Sequence, residues 1–414
     1  MSAPAFPEGA APKAPGRHRV TAAPLPLPEG RTDRATIPVM IPVLGPEEAE
    51  AAAEAVRSGW VADGPRVAAF EEAFAAEVGA AHGVAVSSCT TGLHLCLYLL
   101  GVGPGDEVVV PSLSFIATAN VVRHVGATPV FADIDPFNGN LSAASVKDVL
   151  TERTKAVILV HQGGHPADVD EMRAAVGDVP IVEDAACAAG STIRGRSVGT
   201  GALLAAWSFH PRKLLTTGEG GMITTDDAGW AARLRRLRSH GMSVSAADRH
   251  AAGDRIVLEE YTESAFNYRM TDIQGGMGLV QVRRLAAIVA NRRELAARYH
   301  ELLAPLGLTA VRDPEFGTTN YQSFWVELPE GAPSQVDVLT ALAEDGVSAR
   351  RGIMAAHLEP AYAGHPHIAL PDTERLTSRS IILPLHHELT DDDQRRVVAA
   401  LARALRLDTA GIPS

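Results

Sequence analysis

The chain is poor in sulfur. Its 414 residues hold three cysteines, Cys89, Cys96 and Cys187. None forms a C-x-x-C pair, and an odd count argues against a disulfide framework. Zinc would need more thiols or histidines at ligand spacing, so no metal centre is expected. The setting this implies is reducing and cytoplasmic. Long apolar runs are missing too. None approaches the ~18 residues of a membrane span, and the first residues lack the apolar core of a secretion signal. Positive charge is scarce, with a net charge of −12. That disfavours nucleic acid as the main partner, because a phosphate backbone needs a basic surface. A small anionic ligand in a local basic pocket stays open.

What remains is the balance of a soluble globular protein, 46% hydrophobic and 21% charged. The length is comfortable for two domains. Residues 1–36 are rich in proline and alanine without apolar periodicity, and a disordered or loosely docked arm is expected there. From Ile37 onward, short runs rich in Val and Ile alternate with helical patterns. Strands are expected at 107–112, 127–135, 155–161, 179–184, 205–209 and 221–226. Often apolar throughout, they suit a parallel sheet covered on both faces, the core of an open α/β domain. Helices are expected at 47–58, 66–78 and 283–303. A strand near 321–328, a helix capped by Ser334 and a final helix over DDDQRRVVAALARAL make an α+β tail. The expected division is a large domain over 37–280 and a small one over 281–414.

Four segments invite chemistry, and each also has a plain structural reading. In SFHPRKLLTTGEGG (208–221), Lys213 follows a strand. Burial and nearby positive charge would lower its pKa and make its amine a nucleophile, and Gly218, Gly220 and Gly221 would let the backbone approach a ligand. The alternative is a surface turn. In VEDAACAAG (182–190), Asp184 ends a strand, where α/β sheets bind ligands, or it caps a helix. SSCTTGLHLCLYLL (87–100) sets small hydroxyls before an apolar helix, a phosphate site or simple capping. PSLSFIATAN (111–120) puts Phe115 beyond a strand, to stack on a flat ligand or to fill the core. T-T-G-E-G-G is not a P-loop, because no G-K-[ST] follows it.

Together these segments, with GWVADGPRVAAFEEAFA (59–75), FADID (131–135) and FNYRMTDIQGGMGLVQ (266–281), resemble the DegT/StrS-type family of sugar and cyclitol aminotransferases. These are fold-type-I enzymes that use pyridoxal 5'-phosphate (PLP), with a large α/β domain and a smaller α+β domain. The resemblance runs from about residue 37 to the C-terminus. It implies that Lys213 carries the cofactor and shuttles a proton. It pairs Asp184 with the pyridine nitrogen and stacks Phe115 on the ring. By position it gives the phosphate to Cys89, Thr90, Thr91 and Ser208, with Asn267 reaching in from the neighbouring subunit of a homodimer. Two positions depart from the family. Cys89 stands where glycine or alanine is common, and Cys187 where a glutamine often contacts the cofactor. Trp60 in the early loop and Arg238, Arg269, Arg350 and Arg351 are candidates for the substrate.

The implied reaction takes an amino group from an amino acid, L-glutamate in the family, to a keto-sugar. A nucleotide-linked 4-keto-6-deoxyhexose is preferred, for an aminosugar of secondary metabolism. A keto-cyclitol acceptor, a PLP-dependent sugar dehydratase and a non-catalytic regulatory homologue are the alternatives. Lys213 argues against the lysine-less dehydratases.

Overall fold

The computed structural model describes residues 25–28, 35–244, 256 and 258–408. A seven-stranded sheet runs in the order His82–Val86, Gly221–Thr225, Leu204–Ser208, Ile181–Asp184, Thr154–Val160, Glu107–Pro111, Thr128–Ala132. Five neighbouring strands pair in parallel, while Gly221–Thr225 is antiparallel to both its neighbours. The reason is the connection. Leu204–Ser208 returns as Gly221–Thr225 through the Lys213 turn with no crossover helix, and a strand that returns so directly lies antiparallel. The pleat sends Val108 and Val110 into one apolar core and Val109 into the other. Both faces are therefore covered, which explains the unbroken apolar runs. The edge strand His82–Val86 was not expected from the sequence.

The amphipathic helix is longer than its periodicity suggests. It spans Asp272–Leu303 rather than 283–303. Thr271 caps it in a reciprocal box with Gln274. The glycines that hide this first part from propensity are there for packing. A Cβ on Gly275 would lie 2.7 Å from the Val67 nitrogen, and one on Gly278 2.7 Å from the Phe70 ring. The helix thus lies tight against Pro65–Glu77. Its second half, through Leu295, Tyr299 and Leu302, enters a third core with a four-stranded antiparallel sheet. The division expected at residue 280 falls inside this helix.

Most of the expected N-terminal arm, residues 1–24 and 29–34, lies outside the described residues. Residues 25–28 are docked on the large core. The Leu25 amide donates to the Arg283 carbonyl at 3.1 Å, the Pro26 carbonyl accepts from Arg284, and Leu27 packs on the core.

Candidate active site

The carboxyl ends of the parallel strands open on a cleft of about 690 Å³, a size that suits a small-molecule site. Its wall includes Cys89, Thr90, Phe115, Asp184, Cys187, Ser208 and Lys213. Lys213 does not lie on a loose surface turn. The Phe209 amide donates to the Gly220 carbonyl at 2.9 Å, and Thr217 donates back to the Phe209 carbonyl at 3.0 Å. The Lys213 amide donates to the His210 carbonyl at 2.8 Å. Two of the three glycines are packed against the protein's own atoms. A Cβ on Gly221 would lie 2.5 Å from the Ser88 carbonyl carbon, and one on Gly220 2.4 Å from the Thr217 hydroxyl. Gly221 brings the lysine turn against the start of the Cys89–Leu99 helix, joining two of the four motifs by backbone packing.

At that helix start Ser88 is the cap, accepting from the Thr91 amide at 3.2 Å. The Thr91 hydroxyl returns to Ser88, 3.1 Å from its amide, and does not line the cleft. Thr91 is therefore a capping residue. Cys89 and Thr90 face the cleft at the positive end of the helix dipole, next to Ser208.

Asp184 is 5% exposed. One carboxylate oxygen accepts from Thr118 at 2.9 Å, and the other from the Ala186 amide at 3.2 Å with the Cys89 thiol 3.9 Å away. Burial pushes its pKa up, against the Thr118 and Ala186 hydrogen bonds that pull it down. Such a carboxylate favours a cation beside it. Phe115 stands at 62% exposure, a ring held out into the cleft rather than a core residue.

Lys213 differs from expectation. Its neighbours are thiols and a carboxylate rather than cations, and Nζ donates to the Cys187 sulfur at 2.9 Å. Burial pushes the ammonium down, but Cys187, Cys89 and Asp184 outweigh it, and the net direction is up.

The remaining candidates lie elsewhere in this chain. Asn267 is exposed, bridges to Ser239 and does not line the cleft. Its neighbour's carbonyl, on Tyr268, accepts from the Ser87 amide at 2.8 Å, so the segment backs the helix start. Arg238 is buried against Glu71 and Asp63 and donates to the Ala85 carbonyl at 2.6 Å. It is a structural arginine rather than a cleft residue. Arg269 bonds Ser239 at 3.2 Å, and Trp60 packs beside Gly64.

Arg350 and Arg351 do line the cleft. So do Arg212 and Gln322, which sequence reasoning missed. Arg212 was visible inside the lysine motif. Thr118 was visible inside PSLSFIATAN, three residues after Phe115, and its role appears only through its contact with Asp184.

The site fits PLP. It presents a helix N-terminus for a phosphate, an exposed ring for stacking, a buried carboxylate seeking a cation and an amine. The model of the DegT/DnrJ/EryC1/StrS aminotransferase family matches residues 42–402. An aminotransferase, TlmJ from Streptoalloteichus hindustanus, is 38% identical with a TM-score of 0.82, covering 89% of this chain and 99% of that one. Spr1654 from Streptococcus pneumoniae, described as a sugar aminotransferase and solved in its PMP form, is 27% identical with a TM-score of 0.84, over 89% and 99%. DesI, solved in the presence of its TDP-sugar product, is 33% identical with a TM-score of 0.81, over 91% and 94%.

Proposed function

Because the chain belongs to the DegT/DnrJ/EryC1/StrS aminotransferase family, we propose that this PLP-dependent sugar aminotransferase moves the amino group of L-glutamate to a nucleotide-linked 4-keto-6-deoxyhexose. The observation that carries the nucleotide is the cleft rim. Arg212, Arg350 and Arg351 all line the opening. Burial and the charge of Arg212 push the Arg350 guanidinium down, so two cations face each other there. A diphosphate relieves that repulsion and accepts paired hydrogen bonds from arginine. The likeness to DesI, which has a TDP-sugar product, supports the same reading.

When bound, PLP supplies a protonated ring that draws electrons from the reacting carbon. Asp184 keeps that ring nitrogen protonated by placing a buried negative charge beside it. Phe115 stacks on the ring and excludes water. The free N–H groups at Cys89 and Thr90, with the Ser208 hydroxyl, hold the phosphate. Lys213 carries the cofactor and then moves the proton at the reacting carbon. Asn267, exposed and absent from the lining of its own cleft, completes the phosphate site of a second copy, so the working unit is a homodimer. Three free cysteines accord with a cytoplasmic setting.

The test is spectroscopic first. Purified protein with PLP should show a visible absorbance band that Lys213→Ala lacks and that L-glutamate bleaches. Turnover should then follow with a TDP-linked 4-keto-6-deoxyhexose and not with an inosose. Turnover only with the inosose would replace the nucleotide sugar by a keto-cyclitol.

A further inference from the structure

Three contacts meet around Cys187. Its sulfur lies 2.9 Å from the Lys213 amine. Its carbonyl and that of Ala189 each accept from the Asn320 side chain at 2.8 Å. The Gln322 side chain donates to the carbonyl of Arg212, the residue before Lys213, at 2.6 Å. Asn320 and Gln322 therefore grip the backbone on both sides of the sulfur–amine contact.

Their own segment is held firmly. Tyr321 sits at φ 51°, a conformation that an L side chain rarely adopts. The buried Arg292 donates to the carbonyls of Tyr321 at 2.8 Å and Gln322 at 2.9 Å. A Cβ on Gly164 would lie 1.9 Å from the Asn320 side-chain oxygen, so no other residue fits beneath it. None of these groups bonds the others by chance of a mobile surface, since Asn320 is 0% and Arg292 4% exposed.

We propose that Cys187 is a positioning residue for Lys213, its sulfur holding the lysine amine at the cleft floor before the cofactor arrives, with Asn320 and Gln322 keeping the pair in register. The inference rests on the reading that Lys213 carries the cofactor. An amine attacks an aldehyde only after losing its proton. A sulfur acting as acceptor favours the protonated lysine, so Cys187 delays that loss to higher pH. Burial alone would push Lys213 the other way. Removing the sulfur should therefore let cofactor load at lower pH.

The experiment follows cofactor loading, not turnover. Cofactor-free protein is mixed with PLP, and the rate of appearance of the visible band is read against pH. For Cys187→Ala the midpoint should fall by about one pH unit relative to wild type. Cys187→Ser, which keeps a hydrogen-bond acceptor of similar size, should hold the midpoint closer to wild type than the alanine variant does. An unchanged midpoint in Cys187→Ala, or an equal fall in both variants, would overturn the proposal.

A visible band in Lys213→Ala would mark a different failure, that of the lysine's assignment, and the proposal would fall with it.

Discussion

The floor and the rim of the cleft are built by different physics. The floor hangs from the strand ends of a sheet buried on both faces. Asp184 is 5% exposed there and bonded at both oxygens, and the lysine turn closes on itself through Phe209. The rim is made of exposed arginines. Arg350 and Arg351 form a two-residue strand at the edge of the second sheet, and Arg351 leans on Glu359 at 3.1 Å. A change at the floor disturbs neighbours on every side, whereas the rim can exchange side chains without moving the backbone. On the proposed function, the chemistry of the cofactor belongs to the floor and the choice of acceptor to the rim.

The sharpest way to break this division is Lys213→Ala. Both half-reactions should fall by ~10² to ~10⁴-fold, the range for a lost general acid–base group, measured as release of the keto acid from L-glutamate and as formation of the aminated product. Retained turnover would mean that the floor does not do the chemistry. Arg238→Ala comes next, because Arg238 was a substrate candidate by sequence. It pairs with Glu71, and its loss leaves a carboxylate 4% exposed with Arg235 as its remaining cationic partner beside the Ala85 amide. The expected result is a loss of about 3 kcal/mol in unfolding stability, read by denaturant melts. KM for the sugar should stay unchanged in the protein that remains folded. A raised KM with full stability would move Arg238 to the rim.

Lys213 and Arg238 together show what a sequence can carry. Lys213, Asp184 and Phe115 were legible because each stands directly after an apolar run, where a strand must end and ligands bind. The strands themselves were legible for the same reason. Arg238 was not, because its partner Glu71 lies 167 residues away and only the fold joins them. Asn320 and Gln322 were missed likewise, since their partners at Cys187 and Arg212 lie 133 and 110 residues away in turns that only the fold brings near. The first part of the long helix was hidden by glycines whose purpose is contact with Val67 and Phe70. Thr91 was legible in type but not in role, because a hydroxyl at a helix start can serve the cap or the ligand.

At the rim itself, Arg350→Ala should leave bleaching by L-glutamate at its wild-type rate. KM for the nucleotide sugar should rise by about 10- to 100-fold, the worth of a hydrogen bond to a charged group. The comparison sharpens if Arg212→Ala acts alike and the double variant loses less than the product of the two. An equal loss in the glutamate half-reaction would place Arg350 on the donor's carboxylate instead.

The smallest expected effect probes the floor from within. Thr118 is 1% exposed, and its hydroxyl links Asp184 at 2.9 Å to Ser114 at 2.8 Å. Thr118→Val keeps the shape and removes the donor. Burial already pushes Asp184 up, and the Thr118 hydrogen bond opposes it. Without that bond the pKa rises further, so the carboxylate stays protonated to a higher pH and cannot hold the ring nitrogen's proton there. The acid limb of the glutamate half-reaction should move up by about one pH unit, while the rate on the alkaline plateau stays near wild type. A limb that stays in place would mean that Asp184 is kept ionised by the bound cofactor alone, and that the floor tolerates change as freely as the rim.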